Sequence, residues 1–261
     1  MPEGDVLRRT AHRLDLALRG QVLDRTDLRW PTAGGVDLTG RVVLGTAAYG
    51  KHLLTRFDDD RTLHTHLRMD GSWWIARSGT GSARAAGPFV RAVLGTATWT
   101  AVGNQLGMLD VVRTRDEHLL IDHLGPDLLA PAFPADGLPE VLLRWAAAGT
   151  TPVCEVLLDQ GVVAGIGTIY MAESLFACRL WPWTAADRVE SPERVLATAR
   201  ALMLRSIAAP EGSPGTTGVR RAVHGRLRRP CLRCGTPVSA GVARRPPMER
   251  PVFYCATCQR P

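Results

Sequence analysis

The chain has 261 residues, enough to bury one large hydrophobic core or two smaller ones. Its net charge of +7 favours a polyanionic partner or, without one, simply a basic surface, and the absence of any run of about 18 apolar residues excludes a transmembrane helix. Residues 6–19 mix Arg, His and Asp with Leu and lack the apolar run of a signal peptide, so we expect a cytoplasmic protein with reduced cysteines.

The chain begins Met-Pro-Glu-Gly-Asp, and Pro2 is the first candidate functional residue. A small residue at this position normally permits removal of Met1, which leaves a secondary amine at the N-terminus. The pKa of an α-amino group is about 8, so a useful fraction is the free base at neutral pH and can attack a carbon to form an iminium. Glu3 places a carboxylate beside that nitrogen. The alternative is an ordinary frayed terminus.

Residues 3–19 are predicted to form an amphipathic helix that ends at Gly20, because apolar residues recur there at helical spacing. From residue 21 to 113, short β-rich runs separated by Gly, Asp and Asn predict a β-sandwich or barrel. These runs are Val42–Ala48, His52–Phe57, Thr62–Leu67, Ser72–Ala76, Phe89–Leu94 and Leu109–Val112. Residues 78–88 are rich in Ser, Gly and Ala and predict a mobile loop.

Lys51 lies between two of these runs and is the one lysine among 32 basic residues. The composition, rich in Ala, Gly and Arg, is typical of a GC-rich genome, in which codon bias favours arginine. A lysine that persists against this bias is a candidate functional residue, and a chance surface lysine is the alternative.

A linker is predicted where His123-Leu-Gly-Pro-Asp-Leu-Leu is followed by Pro131 and Pro134. Helical patterns then occur at about residues 138–148, 152–159, 168–178 and 191–207, with a glycine-rich tight turn at 161–167. Residues 211–218 are predicted to form another loop, and the tail from residue 221 is strongly basic.

Two Cys-x2-Cys pairs give the strongest spacing signal in the chain: Cys231 with Cys234, and Cys255 with Cys258. In a reducing compartment this pattern fits a tetrahedral four-cysteine zinc site, and the 20 residues between the pairs suit a β-hairpin. Four thiolates leave no open coordination position, so we expect one structural Zn2+ per chain. Coincidental or disulfide-bonded cysteines are the alternative.

Five motifs, taken in order along the chain, carry a resemblance to one family. They are Pro-Glu-Gly at 2–4, Tyr-Gly-Lys-His-Leu-Leu at 49–54, Leu-Gly-Pro-Asp at 124–127, Leu-Leu-Asp-Gln at 157–160 with Gly-Ile-Gly-Thr-Ile-Tyr at 165–170, and the finger that ends Cys-x2-Cys-Gln at 255–259. The chain resembles the formamidopyrimidine-DNA glycosylase and endonuclease VIII family of bifunctional DNA glycosylases.

The resemblance implies an α+β multidomain fold. Its parts are a catalytic N-terminal helix plus β-sandwich (1–115), an interdomain linker (116–135), a helical helix–two-turn–helix DNA-binding domain (136–220) and a C-terminal four-cysteine zinc finger β-hairpin (221–261). The implied partner is damaged duplex DNA, and we expect a monomer that does not bind membranes.

The activity implied by the resemblance is base excision. The enzyme flips a damaged base out of the duplex, and the nitrogen of Pro2 attacks C1′ of its sugar. Departure of the base has oxocarbenium character, and Glu3 is the implied acid and base. The iminium acidifies the C2′ proton, so β- and then δ-elimination cut the strand on both sides.

Four further residues match positions that the family uses to bind DNA. Lys51 is the implied contact to the phosphate beside the lesion, and Arg250 is an implied phosphate clamp on the finger. Met69 is the implied wedge that fills the space left by the flipped base, with a core methionine as its alternative. Glu173 is an implied supporting carboxylate, with a capping or core-edge role as its alternative.

Two departures from the family pattern bear on function. Thr168 replaces the asparagine that caps the second helix of the helix–two-turn–helix module, and we expect it to be a weaker N-cap with weakened but retained DNA binding. The Arg and Phe that probe the orphaned base in the formamidopyrimidine branch are absent, and Gln105 and Leu106 are predicted to do part of that work.

The missing Arg and Phe favour the endonuclease VIII-like branch, and so do the short 211–218 loop and Asp5. Oxidised pyrimidines and abasic sites are therefore the expected substrates. Two other functions stay open: a non-catalytic DNA-damage binding protein of the same fold, and a zinc-ribbon nucleic-acid module with an unrelated N-terminal domain.

Overall fold

The computed structural model of the chain describes residues 2–80, 82–210, 221–245 and 248–261. The chain divides into two compact units, residues 1–123 and 124–261, and this boundary falls within the predicted linker at 116–135. The finer four-part division remains a prediction. The predicted loop at 211–218 lies outside the described residues.

The first unit is an α-helix followed by antiparallel strands. Its elements are α1 (Gly4–Leu18), β1 (Arg25–Leu28), β2 (Val43–Tyr49), β3 (His52–Phe57), β4 (Arg61–His66), β5 (Ser72–Arg77), α2 (Ser82–Ala85), β6 (Val90–Gly95), β7 (Trp99–Asn104) and β8 (Met108–Arg113). Their strands form two sheets, in the orders β1-β6-β7-β5 and β2-β3-β4-β8, which confirms the predicted β-sandwich.

A single apolar cluster joins α1 to both sheets of the first unit. One face of α1 is buried, as its apolar spacing predicts, and the inward side chains of the strands meet it. Its buried side chains include Leu7, Leu14, Leu18, Leu53, Phe57, Leu63, Leu94 and Leu109. This packing fixes the N-terminus of the chain, because the helix begins only two residues after Pro2.

The segment 78–88 differs from the predicted loop, because it contains the short helix α2. The guanidinium of Arg29 donates to the carbonyl oxygens of Ala85 (2.9 Å) and Gly87 (3.2 Å). These partners are more than 50 residues away in the chain, so local composition carries no signal of the contact.

The second unit contains the helices α3 (Leu138–Ala147), α4 (Val153–Leu158), α5 (Thr168–Ala177) and α6 (Pro192–Ala208). The four helical patterns predict these bounds to within one residue at each end. Among the described residues, no helix is both long enough and apolar enough to cross a membrane.

The C-terminal hairpin pairs β9 (Ser239–Arg245) with β10 (Met248–Tyr254) and shares its core with the helices. Val238, Ala243 and Val252 belong to the same buried cluster as the apolar faces of α4, α5 and α6. Trp183 also reaches the hairpin, since its indole N–H donates to the carbonyl oxygen of Val242 (3.2 Å). The hairpin is therefore a part of the second unit's core.

Gly125, in the Leu-Gly-Pro-Asp motif, lies against the backbone of the glycine-rich turn. Its N–H donates to the carbonyl oxygen of Gln160 (2.8 Å). A Cβ at this position would lie 2.6 Å from the carbonyl carbon of Val162 and 2.9 Å from the carbonyl oxygen of Gly161. Only glycine allows so close an approach of two backbone segments.

We expect Gly125→Ala to lower the free energy of unfolding by about 2 kcal/mol or more, because backbone atoms cannot move aside as a flexible side chain can. Chemical denaturation monitored by circular dichroism measures the change. Gly87→Ala is the matched control, since its Cβ would meet its nearest neighbour at an ordinary 3.5 Å. Equal stability of the two variants would contradict the packing argument.

Candidate functional site

The N-terminal residues are held by the first turn of α1. Glu3 is the N-cap residue, with extended backbone, and its carbonyl oxygen accepts the N–H groups of Val6 (2.9 Å) and Leu7 (3.2 Å). Glu3 is only 1% exposed, whereas Pro2 is half-buried. A carboxyl group in so dry a site interacts strongly with any positive charge that develops near it.

Lys51 lies in the tight turn between β2 and β3. The two strands are paired up to Tyr49 and His52, so Gly50 and Lys51 form the whole connection. Gly50 has a φ of +54°, in the left-handed region that favours glycine. The Tyr-Gly-Lys-His motif is thus a hairpin turn that presents a lysine.

Three histidines gather around His52, the residue that follows Lys51, and none of the four is among the predicted site residues. The ring of His52 stacks on His64 (centroids 5.0 Å apart) and meets His66 edge-on (4.9 Å) and His123 edge-on (6.3 Å). A sequence signal exists: His64 and His66 alternate on one strand, so their side chains share a face.

His66, which feels the positive charges of Lys51 and Arg68, is a neutral hydrogen-bond donor. Nδ1 of His66 accepts the backbone N–H of Arg68 (2.9 Å). Burial, and then the positive charge of Lys51, lower the pKa of His66 to about 4. At neutral pH the remaining nitrogen, Nε2, therefore carries the proton and can donate to an anion.

Met69 is 53% exposed in the turn that joins β4 to β5, next to Arg68 with its φ of +49°. This exposure excludes the core-methionine alternative. An exposed apolar side chain on a tight turn has the shape of a wedge, so the structure is compatible with the expected role of Met69.

Gln105 and Leu106 differ from each other in the structure. Gln105 has a φ of +49° and its N–H donates to the carbonyl oxygen of Phe89 (2.8 Å), which fixes the turn between β7 and β8. Leu106 is only 3% exposed and packs against Gly103 and Trp73 in the core. The expectation that Leu106 contacts DNA is therefore corrected: the β-sandwich buries its side chain.

The glycine-rich turn before α5 is braced by two side chains from the Leu-Leu-Asp-Gln motif. The amide of Gln160 donates to the carbonyl oxygen of Ile166 (2.9 Å) and accepts the N–H of Gly165 (3.0 Å). Asp159 accepts the N–H of Gly161 (2.8 Å). The Leu-Leu-Asp-Gln motif at 157–160 thus fixes the backbone of the turn that leads into α5, where the Gly-Ile-Gly-Thr-Ile-Tyr motif at 165–170 lies.

Thr168 is the first residue of α5 and not its N-cap. The N-cap is Gly167, which makes no side-chain cap, and Thr168 is only 6% exposed. The expectation of a weaker threonine cap is therefore corrected, because the helix begins one residue earlier than a cap at position 168 would require. The positive end of the α5 dipole lies at this N-terminus and favours a nearby anion.

Glu173 anchors the segment that leads to the cysteine hairpin. It is only 7% exposed, and its carboxylate accepts the backbone N–H groups of Ala222 (2.8 Å), Val223 (3.0 Å) and His224 (2.8 Å). The assignment of Glu173 to DNA binding is thus corrected, since its oxygens are directed to backbone amides. This geometry fits the role of a supporting carboxylate.

We expect Glu173→Gln to lower the free energy of unfolding by about 1–3 kcal/mol, because the new amide NH2 would face at least one backbone N–H donor. Thermal unfolding of the purified variant measures the loss. Glu190→Gln, at an exposed position, is the control and should leave the unfolding temperature unchanged. A fully stable Glu173→Gln protein would show that the three bonds contribute little.

The cysteine cluster has the arrangement of a metal site. The Sγ atoms of Cys231, Cys234, Cys255 and Cys258 all lie within 4.8 Å of one another, and two of these pairs are 4.0 Å and 3.5 Å apart. Tetrahedral Zn–S bonds of about 2.3 Å place sulfurs at similar separations. Hydrogen bonds from the side chain and backbone of Thr236 lower the pKa of Cys234 to about 6, whereas burial raises the pKa of Cys255 and raises that of Cys258 to about 12, so a metal would have to displace protons from these two thiols.

Arg250 lies on β10, opposite Ala243 of β9, and is half-buried. Its placement on a paired strand fixes its backbone. Among the predicted site residues, Pro2, Glu3, Lys51, Met69 and Gln105 belong to the first unit, and Thr168, Glu173, Arg250 and the four cysteines belong to the second.

Comparisons with known proteins match both units. The family model of the formamidopyrimidine-DNA glycosylase N-terminal domain matches residues 1–113, and that of the formamidopyrimidine-DNA glycosylase H2TH domain matches residues 124–217. Probable endonuclease 8 2 of Streptomyces coelicolor is 43% identical to the chain, over 99% of this chain and 94% of that protein.

Two further matches cover almost the whole chain. The DNA-(apurinic or apyrimidinic site) lyase Nei2 of Mycolicibacterium smegmatis is 36% identical over 99% of both chains. The crystal structure of the MutM (Fpg) protein from Thermus thermophilus superposes with a TM-score of 0.79 at 29% identity, over 99% of this chain and 98% of that one.

Proposed function

The chain belongs to the formamidopyrimidine-DNA glycosylase family, and we propose that it is a base-excision repair enzyme that removes oxidised bases from DNA and cleaves the resulting abasic site. The observation that carries this proposal is the position of Pro2 directly before the buried carboxylate of Glu3 at the start of α1. The names of relatives as glycosylases and as an abasic-site lyase support it.

The proposed reaction begins with the free amine of Pro2, which requires removal of Met1. The nitrogen attacks C1′ of the flipped nucleotide, the C1′–N bond to the base breaks, and Glu3 supplies acid and base catalysis. The resulting iminium draws electrons from C2′, so loss of a C2′ proton expels the 3′ phosphate. A second elimination expels the 5′ phosphate.

DNA binding is proposed to use both units. Lys51 contacts the phosphate beside the lesion, and His66 offers an adjacent N–H donor. Met69 fills the space left by the flipped base, and Arg250 together with the N-terminus of α5 binds further phosphates. The four cysteines are proposed to hold one structural Zn2+, which fixes the hairpin that carries Arg250.

Oxidised pyrimidines are the proposed bases. The absence of the family's opposite-base Arg and Phe supports this choice, and so does similarity to proteins named endonuclease 8 and Nei2. Initial rates on duplexes with thymine glycol, 5-hydroxyuracil or 8-oxoguanine opposite cytosine test it. Much faster excision of 8-oxoguanine would overturn the substrate assignment and leave the reaction type intact.

Borohydride trapping tests the reaction type. Purified protein, with Met1 removal verified by mass spectrometry, is incubated with a duplex that carries an abasic site and with an undamaged duplex. We expect a covalent protein–DNA adduct on the abasic duplex only, and its loss when Pro2 is blocked by retained Met1. Tight binding without an adduct would instead favour the non-catalytic damage-binding protein.

A further inference from the structure

A buried chain of hydrogen bonds in the first unit is not used by the proposed chemistry. His64 on β4 is fully buried, and its Nδ1 lies 3.1 Å from Oδ2 of Asp110 on β8. Its Nε2 lies 2.8 Å from Nδ1 of His52, the first residue of β3. The chain Asp110–His64–His52 thus crosses three neighbouring strands of one sheet.

Strand register places the three side chains together. His64 pairs directly with Asp110, whereas His52 pairs with His66, which is two residues from His64 and on the same face of the sheet. The arrangement therefore follows from the backbone and not from a chance rotamer.

The hydrogen bonds can run in only one direction. The carboxylate of Asp110 accepts, so Nδ1 of His64 carries a proton. Burial lowers the pKa of His64, although Asp110 opposes the effect, so its Nε2 is bare and accepts from His52. Burial also lowers the pKa of His52 to about 3, so His52 is neutral, protonated at Nδ1 and bare at Nε2.

Two positive side chains and two further histidines lie around the His52 end of the Asp110–His64–His52 series. Lys51 precedes His52 directly, His66 and His123 meet its ring edge-on, and Arg68 acts on His66. A proton on His52 would place a second positive charge beside Lys51. A proton on His64 would make its Nε2 a donor, and the bond to His52 would then persist only if the proton of His52 moved from Nδ1 to Nε2.

We propose that Asp110, His64 and His52 are positioning residues for Lys51. Asp110 and His64 hold the His52 ring neutral and fixed at the base of the Gly50–Lys51 turn. Lys51 then meets the lesion phosphate in one geometry. This inference rests on the proposed function, because it takes Lys51 to bind that phosphate. None of the three residues needs to touch the DNA.

Measurement of the imidazole tautomers tests the Asp110–His64–His52 hydrogen bonds directly and requires no enzyme turnover. In the full-length protein labelled with 15N-histidine, long-range 1H–15N spectra at neutral pH should show His52 and His64 both neutral and both protonated at Nδ1. A cationic His52, or a His52 protonated at Nε2, would overturn the proposal even if the enzyme cleaves DNA as proposed.

Lyase kinetics on a preformed abasic duplex test the consequence for Lys51. His64→Leu should raise KM about tenfold and leave kcat within about twofold, because an ordered contact to a phosphate becomes mobile. His64→Gln keeps one donor and one acceptor and should restore most of the loss. Asp116→Asn, on an exposed side chain, should behave as wild type.

Two results would contradict the positioning role. One is an unchanged KM in a folded His64→Leu protein. The other is His64→Gln that is no better than His64→Leu, since this would mean that volume and not hydrogen bonding matters. If the wild-type enzyme shows no lyase activity, the proposed function fails. The tautomer measurement then still decides whether the Asp110–His64–His52 hydrogen bonds exist.

Discussion

Glu3→Gln is expected to slow excision of an oxidised pyrimidine by about 10²- to 10⁴-fold, the usual contribution of a positioned acid or base. The reason is geometric. Glu3 directly follows Pro2 and is only 1% exposed, and its main chain forms the N-cap of α1, so the carboxyl group lies in a nearly dry position at the start of the helix. Glutamine keeps the shape and removes both the charge and the proton exchange.

The measurement is single-turnover excision of 5-hydroxyuracil, compared with cleavage of a preformed abasic duplex. A preformed abasic site has no base to expel, so its cleavage should be impaired less than excision. Glu193→Gln, on an exposed carboxylate in the first turn of α6, is the control. Excision at the wild-type rate by Glu3→Gln would remove Glu3 from the mechanism.

Local patterns predict a large part of this fold. The helices of the second unit follow from apolar periodicity, and the cysteine pairs follow from their spacing, since both signals need only neighbouring residues. The hairpin at Lys51 follows from two β-rich runs separated by Gly50. Strands β1 and β7 are absent from the predicted runs; β1 is defined by pairing with the distant β6, whereas β7 pairs with its sequence neighbour β6 and with β5.

Side-chain roles in the site are harder to predict, because they depend on contacts between distant residues. Glu173 binds amides about 50 residues away, and His64 bonds to Asp110 at a separation of 46. Leu106 shows the reverse problem: a family position suggests a DNA contact, and packing against Trp73 decides that the side chain is buried. Burial in a β-sandwich is a property of the assembled sheets.

Cys255→Ser is expected to abolish metal binding and to lower affinity for abasic-site DNA about tenfold or more. Binding of a structural metal is coupled to folding, and its free energy is about 10–16 kcal/mol in zinc-finger peptides. Loss of one ligand should therefore release the ion and unfold the segment around it. Cys255 is fully buried, and its N–H donates to the side chain of Gln259 (3.0 Å). Gln259 in turn donates to the carbonyl oxygen of Leu180 (2.8 Å).

Gln259 links Cys255 to Leu180 through these two hydrogen bonds. Loss of the ion should therefore loosen the attachment of the hairpin to the helices and displace Arg250 from its strand. Elemental analysis gives the metal content, and fluorescence anisotropy at fixed salt gives the affinity, which must be compared at one ionic strength. Cys178→Ser is the matched control, since Cys178 lies outside the cluster and contacts Thr198. If Cys255→Ser loses the metal and keeps wild-type affinity, the hairpin does not depend on the ion to present Arg250, and the metal would serve stability alone.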